Sequence, residues 1–351
     1  MEDTVRFLTA DYKLADVCDD FVSLSYSDAF CDCGEFTCVL PADRKYIPEK
    51  ETPVLCGDGL VYIVEKTETD TVSGTVTLSG RGILSYLARR VIIGAGKLYM
   101  RCEELIETLV LLHGAAAVPG TLEYASPVSQ EAVNTVIENG NLLNCIKEIA
   151  GMWGRGLSLK YDFDKEKFIF SVPFVRDRRL GSSDSPVFLS EGFDTVSGAA
   201  SSADLSGYIN KVWVRGAQKP DGTYYMASVR AQDYDFGDSF DDSSEKLREL
   251  YVKSGIGTGI YTETGDDGVS VLDESAYLEA LRTRGRSELA RHRPGYRISA
   301  RLSAGAAKEL SPGDRCTLFS PVTPLQEVRV TEKTVTVAKG CVKYGAELRA
   351  Y

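Results

Sequence analysis

The sequence predicts a mainly β protein with an α+β insert, and three observations carry that prediction. Short alternating segments separated by closely spaced turns fill residues 21–79 and return in residues 209–350. Between them lie two amphipathic helix patterns and one hairpin. The longest apolar run, "LVLLHGAAAVP", holds a histidine and ends at a proline, far short of the ~20 residues that span a bilayer.

At 351 residues the chain is long enough for two or three domains. Its 43% hydrophobic and 26% charged content place it among globular proteins rather than disordered ones. The formal charge is −11, from 40 basic and 51 acidic residues. A general nucleic-acid binder needs a surplus of Lys and Arg to displace counterions, so that class is disfavoured. The start, "MEDTVR", carries acid where an export signal carries base, and a soluble protein made in a cytoplasm is the expectation.

The opening is all β. Phe21–Phe30 and Glu35–Leu40 read as paired strands, and Leu60–Lys66 with Gly74–Ser79 as the arms of a long hairpin, together a small barrel or sandwich. "SGRGILSYLARR" (Ser79–Arg90) follows at once and poses a phosphate-loop question. It matches neither G-x-x-x-x-G-K-[ST] nor G-x-G-x-x-G, and its strand belongs to a meander. It reads as a strand-to-helix corner, with Ser79 as cap and Ile83, Leu84, Leu87 and Val91 as an apolar stripe.

The middle changes character. Arg101–Gly114 has the spacing of a helix with Leu105, Leu109 and Leu112 inward and Glu103, Glu104 and Glu107 outward. A second helix starts at the cap Asn141 and points Leu142, Ile146 and Ile149 inward. "LSLKYDF" and "FIFSV" form a hairpin turning through Asp164–Lys167, and the polar seam "RDRRLGSSDSP" reads as a domain boundary.

Strands then return. "INKVWVRG" turns through "KPDG" into "TYYMASVRA". Asp233, Asp235, Asp238, Asp241 and Asp242 crowd one loop. Asp238 and Ser244 stand where an EF-hand needs Gly and Glu, so a solvated loop is expected instead. A long helix over residues 274–293 is capped by Asp273, stopped by Pro294-Gly295, and places Leu278, Leu281, Gly285 and Leu289 on one face. Glu279 and Glu288 each precede an arginine by three residues, so part of its arginine stripe is locally paired. "YRISARL", "DRCTLF", "EVRVTEKTVTV" and "CVKYGAELR" close a second meander of barrel size.

No constellation carries chemistry. Only His113 and His292 exist, which disfavours a His-dependent triad or a multi-histidine metal site. "SSEK" (Ser243–Lys246) has no companion motif. The nine cysteines read as reduced and mostly buried. A metal site at Cys31, Cys33, Cys38 and Cys56 is the alternative, although no C-x-x-C knuckle is present. The expectation is therefore no catalytic, cofactor-binding or metal residue.

The order of these segments, with the S-G-R corner at Ser79–Arg81, the approach to "NKVWVRG" and the helix followed by "LSPGD", resembles phage tail hub proteins: the tail-associated, Gp37-like family of siphophages, related in fold to contractile-tail baseplate hubs. The resemblance covers nearly the whole chain through short, loose motifs. It implies two tube-like β-barrel domains plus a smaller α+β domain. The first barrel would span residues 1–98 and be completed by about 187–216, with 99–186 as the inserted α+β domain. The second barrel would span 217–351 with the helix 274–293, which would support it near a subunit boundary. It further implies a homotrimer whose six barrels join a sixfold tail tube to a threefold tip at the virion tail tip or baseplate. Partners would be tail tube, distal tail or baseplate, tape-measure and tip or spike proteins, with no cofactor, no sequence-specific nucleic acid and no membrane span. A cell-wall hydrolase and a carbohydrate-binding module are the rival readings. The second would need exposed aromatics, and Trp153 and Trp213, the only tryptophans, both lie in apolar sequence settings.

Overall fold

The computed structural model describes residues 4–57, 59–94, 96–118, 120–128, 132–137, 139–182, 185–233, 246–264, 270–292, 295–320, 323–338 and 340–350. Its mainly β character agrees with the sequence. One sheet of 13 strands dominates. Its path runs from Val196–Asp204 through Gly295–Leu302, Cys341–Ala350 and Thr323–Ala338 to Ser23–Ala29, and on through Glu35–Pro41, Thr75–Gly82, Leu60–Asp70, Pro53–Cys56 and Val5–Leu8 to Leu14–Cys18. Arg315–Ser320 pairs with Thr323–Ala338, and Phe188–Ser190 adds to it in parallel.

The sheet wraps two cores. Val5, Phe7, Phe36, Leu40, Tyr62 and Leu78 fill the first, and Val335 and Val337 join them from the far end of the chain. Leu189, Ile298, Leu302, Cys316, Leu318, Val328 and Leu348 fill the second. The 16-residue strand Thr323–Ala338 serves both. Its first part pairs with Arg315–Ser320, and beyond a register shift at Val330/Glu332 it pairs with Ser23–Ala29. This differs from the expected completion of the first barrel by about 187–216. Residues 332–338 close that core, while Val196–Asp204 pairs with Gly295–Leu302 at the second. The alternation of Val335 and Val337 decides it, because period two turns both toward the first core.

The glycine corner is structural. The strand continues to Gly82, so the following turn starts at Ile83, as a 3-10 helix, and not at a Ser79 cap. A Cβ at Gly80 would lie 1.8 Å from the Ile63 carbonyl oxygen, and one at Gly82 2.0 Å from that of Cys33. Only glycine allows so close a backbone approach. Ile83, Leu84 and Leu87 are buried as expected, but Val91 is 58% exposed, because the chain leaves the helix at Arg90.

The insert holds α1 (Cys102–Leu109) and α2 (Leu142–Met152), with the strands Ser158–Asp162 and Lys167–Ser171 as the expected hairpin and Thr121–Tyr124 added in parallel. Leu105 and Leu109 are buried, whereas Leu112 is exposed and Glu103 is not. A π-helical turn over Val110–Gly114 follows α1 and shifts the phase of the stripe. In α2 the Asn141 side chain accepts from the Asn144 N–H at 3.1 Å, the expected cap. Asn141→Ala is expected to lower stability by about 1 kcal/mol, read as a drop in the urea midpoint without a change in slope. An unchanged midpoint would show that the cap contributes nothing.

The long helix α3 (Glu274–Arg291) does not rest on the second barrel. It packs on a separate three-stranded sheet, Lys211–Gln218, Tyr224–Arg230 and Glu249–Lys253. A Cβ at Gly285 would sit 2.6 Å from Val229, so the glycine lets helix and sheet approach closely. Tyr277, Leu281 and Leu289 are buried there, and Asp273 caps the helix by accepting from the Ala276 N–H at 2.9 Å. The difference arises because the Lys211–Arg230 hairpin pairs with Glu249–Lys253 instead of the large sheet.

Of the seam, the described stretch Arg176–Ser182 is a strap along the second barrel. Arg176 donates twice to the buried Asp314, at 2.7 and 2.8 Å. Arg179 pairs with Asp177 and Glu327 and holds the Asp177 carboxyl well below the usual range.

Candidate functional site

Period-two alternation turns one set of side chains of the large sheet into its own cores; on the other side the insert covers Leu8, Leu55, Val61 and Ile63, and the stretch around Ser25, Thr37 and Ser79 lies outside that core. On the first barrel that stretch is built from hydroxyls. Thr336, Ser25, Thr37 and Ser79 stand directly opposite one another across four strands. Ser25 Oγ and Thr336 Oγ1 are 3.2 Å apart. In the next row Thr334 faces Ser27, which is buried and whose Oγ accepts from the Glu35 N–H at 3.0 Å. Toward the second barrel the rows become mixed in charge. Glu332 faces Glu347, which faces Ser299, and Ser299 donates to Glu347 at 2.5 Å. Arg297 and Arg301 are exposed on the same strand. The four hydroxyls are themselves uncharged, and the row ends on a lysine at each side, Lys343 opposite Thr336 and Lys66 opposite Ser79, the latter paired with Glu68.

A second feature lies between α2 and α3, a cleft of about 460 Å³. Glu148 of α2 accepts from Arg284 of α3 at 3.1 Å and also pairs with Arg291. The buried Glu288 takes the same arginines at 2.6 and 3.3 Å. Glu279, paired with Arg282 and Arg286, also lines the cleft, so its charged groups are tied up in ion pairs. The Glu288–Arg291 and Glu279–Arg282 pairs follow from spacing within the helix. The cleft had no signal in the sequence, since its walls come from distant segments.

The residues singled out in the sequence do not converge. Cys38 and Cys56 point into the first core, whereas Cys31 and Cys33 lie against the core of the insert. Burial pushes the Cys31 thiol up to about 11 and that of Cys33 to about 12, away from the thiolate that metals require. Among the described residues no three His, Cys, Asp or Glu side chains group as metal ligands. His113 lies in the π turn of the insert, and His292 Nδ1 lies 2.9 Å from the Glu288 carbonyl oxygen, in a different unit. Of "SSEK" only Lys246 is described, and of the acidic loop only Asp233. Asp235, Asp238, Asp241 and Asp242 lie outside the described residues. The tryptophans are less apolar in setting than their sequence neighbours. Trp153 is 37% exposed, and Trp213 donates to Glu249 at 2.9 Å beneath the Lys211 ammonium. No helix among the described residues is long and apolar enough to cross a membrane.

No protein-family model matches the chain. No curated protein sequence is a significant match either. Solved structures do match. A tail protein from Neisseria meningitidis MC58 superposes with a TM-score of 0.61 at 11% identity, covering 99% of this chain and 96% of its own. The 43 kDa tail protein of prophage MuSo2 from Shewanella oneidensis gives 0.60 at 10% identity, covering 99% and 98%. The chain therefore has the fold of phage tail proteins over its whole length.

Proposed function

We propose that the protein is a structural, non-enzymatic hub of a phage tail tip or a phage-tail-like baseplate. The observation that carries this reading is the fold shared with two tail proteins across 99% of the chain. Three chains form a ring whose six barrel-like units, two per chain, join a sixfold tail tube to a threefold tip. The inserted unit at residues 99–186 decorates that ring, and α3 lies near a subunit boundary. Partners are tail tube, distal tail or baseplate, tape-measure and tip or spike proteins, and assembly takes place in the bacterial host cytoplasm.

The hydroxyl rows at Ser25, Thr37, Ser79 and Thr336 face the bore. A neutral wall lets DNA slide, whereas a basic wall would grip phosphates by releasing counterions. Light scattering coupled to size exclusion is expected to give a three-chain mass, alone or with a tail partner, and imaging of the particle a bore lined by these rows. A dimer, or a bore lined by lysine and arginine, overturns the reading. Lysine at Ser25, Thr37 and Ser79 together is expected to leave the fold intact and slow genome passage, measured as delayed DNA release from triggered particles.

A further inference from the structure

The two ends of the large sheet are built differently. Leu14–Cys18 is short and guarded: Arg44 donates to the Val17 carbonyl at 3.2 Å and pairs with Asp16 and Asp20 at 2.8 and 2.9 Å. Val196–Asp204 spans nine residues, pairs on one side with Gly295–Leu302, and meets no described strand on the other. It carries no proline and no lysine, its bulge lies at one end, at Val196/Gly198, and its single charge, Asp204, at the other, so the stretch between has none of the devices by which proteins blunt a free edge. Its backbone groups are set to receive another strand.

Charge differs as well. Beside the open edge, Arg297 stands opposite Ser202 and Arg301 opposite Gly198, both arginines exposed. Beside the guarded end, residues 11–20 hold four aspartates and one lysine. Asp16 and Asp20 belong to Arg44, while Asp11 and Asp19 are exposed. Leu14 and Val17 are exposed on the same segment, at 48% and 45%.

We infer that copies of this chain join end to end, with the open edge at Val196–Asp204 of one copy receiving the segment around Leu14–Cys18 of the next. The inference rests on the ring reading above and names its seam. Such a contact is heterologous, and it closes into a ring when the rotation permits. The exposed Leu14 and Val17 bring apolar surface to the open edge, and Arg297 and Arg301 against Asp11 and Asp19 set the direction.

The test is a charge swap on the full chain. R297E/R301E is expected to move the protein from the three-chain mass to the single-chain mass in light scattering. Adding D11R/D19R to the same chain is expected to restore the larger mass, which a folding defect would not do. Independently, in a C341S background, A200C/A15C is expected to cross-link between chains under mild oxidation, with neither single cysteine doing so. If the wild-type chain is a monomer alone and with tail partners, the ring reading itself fails. If it is a trimer that ignores the charge reversal and does not cross-link, the ring stands and this seam is wrong. Efficient cross-linking by A200C alone overturns the inference in favour of a symmetric edge-to-edge pair.

Discussion

Phe30→Ala is expected to lower stability by about 3–5 kcal/mol, the range for a large ring removed from a tight site. Phe30 is 6% exposed and stands where three parts of the molecule meet. Its N–H donates to the Thr331 carbonyl at 2.9 Å, and its own carbonyl accepts from the Leu157 N–H at 2.8 Å. A Cβ at Gly156 of the insert would lie 2.5 Å from the ring, and one at Gly313 of the second barrel 2.3 Å. The Arg329 guanidinium covers the ring at 5.4 Å. With both glycine backbones held by strands and turns, the space left by the ring closes poorly, and the cavity term adds to the transfer term. The same joint breaks from its other side: Gly313 has φ +97°, so Gly313→Ala meets backbone strain and the Phe30 ring together. Urea unfolding of both variants measures this. A loss below about 1 kcal/mol for Phe30→Ala would show that the ring is not a joint.

That joint explains the "LSPGD" turn singled out in the sequence. Gly313 makes room for Phe30, and Asp314 takes Arg176 and the Ser311 N–H at 2.9 Å. The motif was legible, but its reason was not, because Phe30 and Arg176 lie far away along the chain. Local chemistry was readable throughout. The alternation in Glu35–Leu40, the Asn141 cap, the turn at Asp164–Lys167 and the Asp273 cap each depend on residues within a few positions. Long pairings were not. The Ser25–Thr336 contact spans 311 positions, so the strand that closes the first core had no local mark. Leu112 misled for another reason, since a π turn changes the period that a helical stripe assumes. The hydroxyl face combined both cases: each strand showed its alternating Ser and Thr, but only the register set them in rows.

Leu281→Asp tests the packing of α3 and is expected to cost about 3–5 kcal/mol at neutral pH, comparable to other uncompensated buried charges. Leu281 is fully buried among Val212, Val214, Val229, Tyr277 and Leu289. A Cβ at Gly216 would lie 2.9 Å from its methyl, so the sheet leaves no room for water to follow a carboxylate inward. The arginines of α3 do not offset it, since Arg282 and Arg286 pair with Glu279, and Arg284 and Arg291 with Glu148 and Glu288. Burial would raise the new carboxyl above its unfolded value of about 3.9. The folded state then holds that proton more tightly than the unfolded state. Part of the lost stability is therefore recovered below about pH 4, and the deficit against wild type widens as pH rises through the folded value. Leu281→Asn is the matching control: it is also destabilising, but its deficit is flat with pH. Thermal melts of the three proteins from acid to neutral pH decide the matter. If Leu281→Asp melts like wild type at pH 7 and assembles normally, α3 does not pack as described.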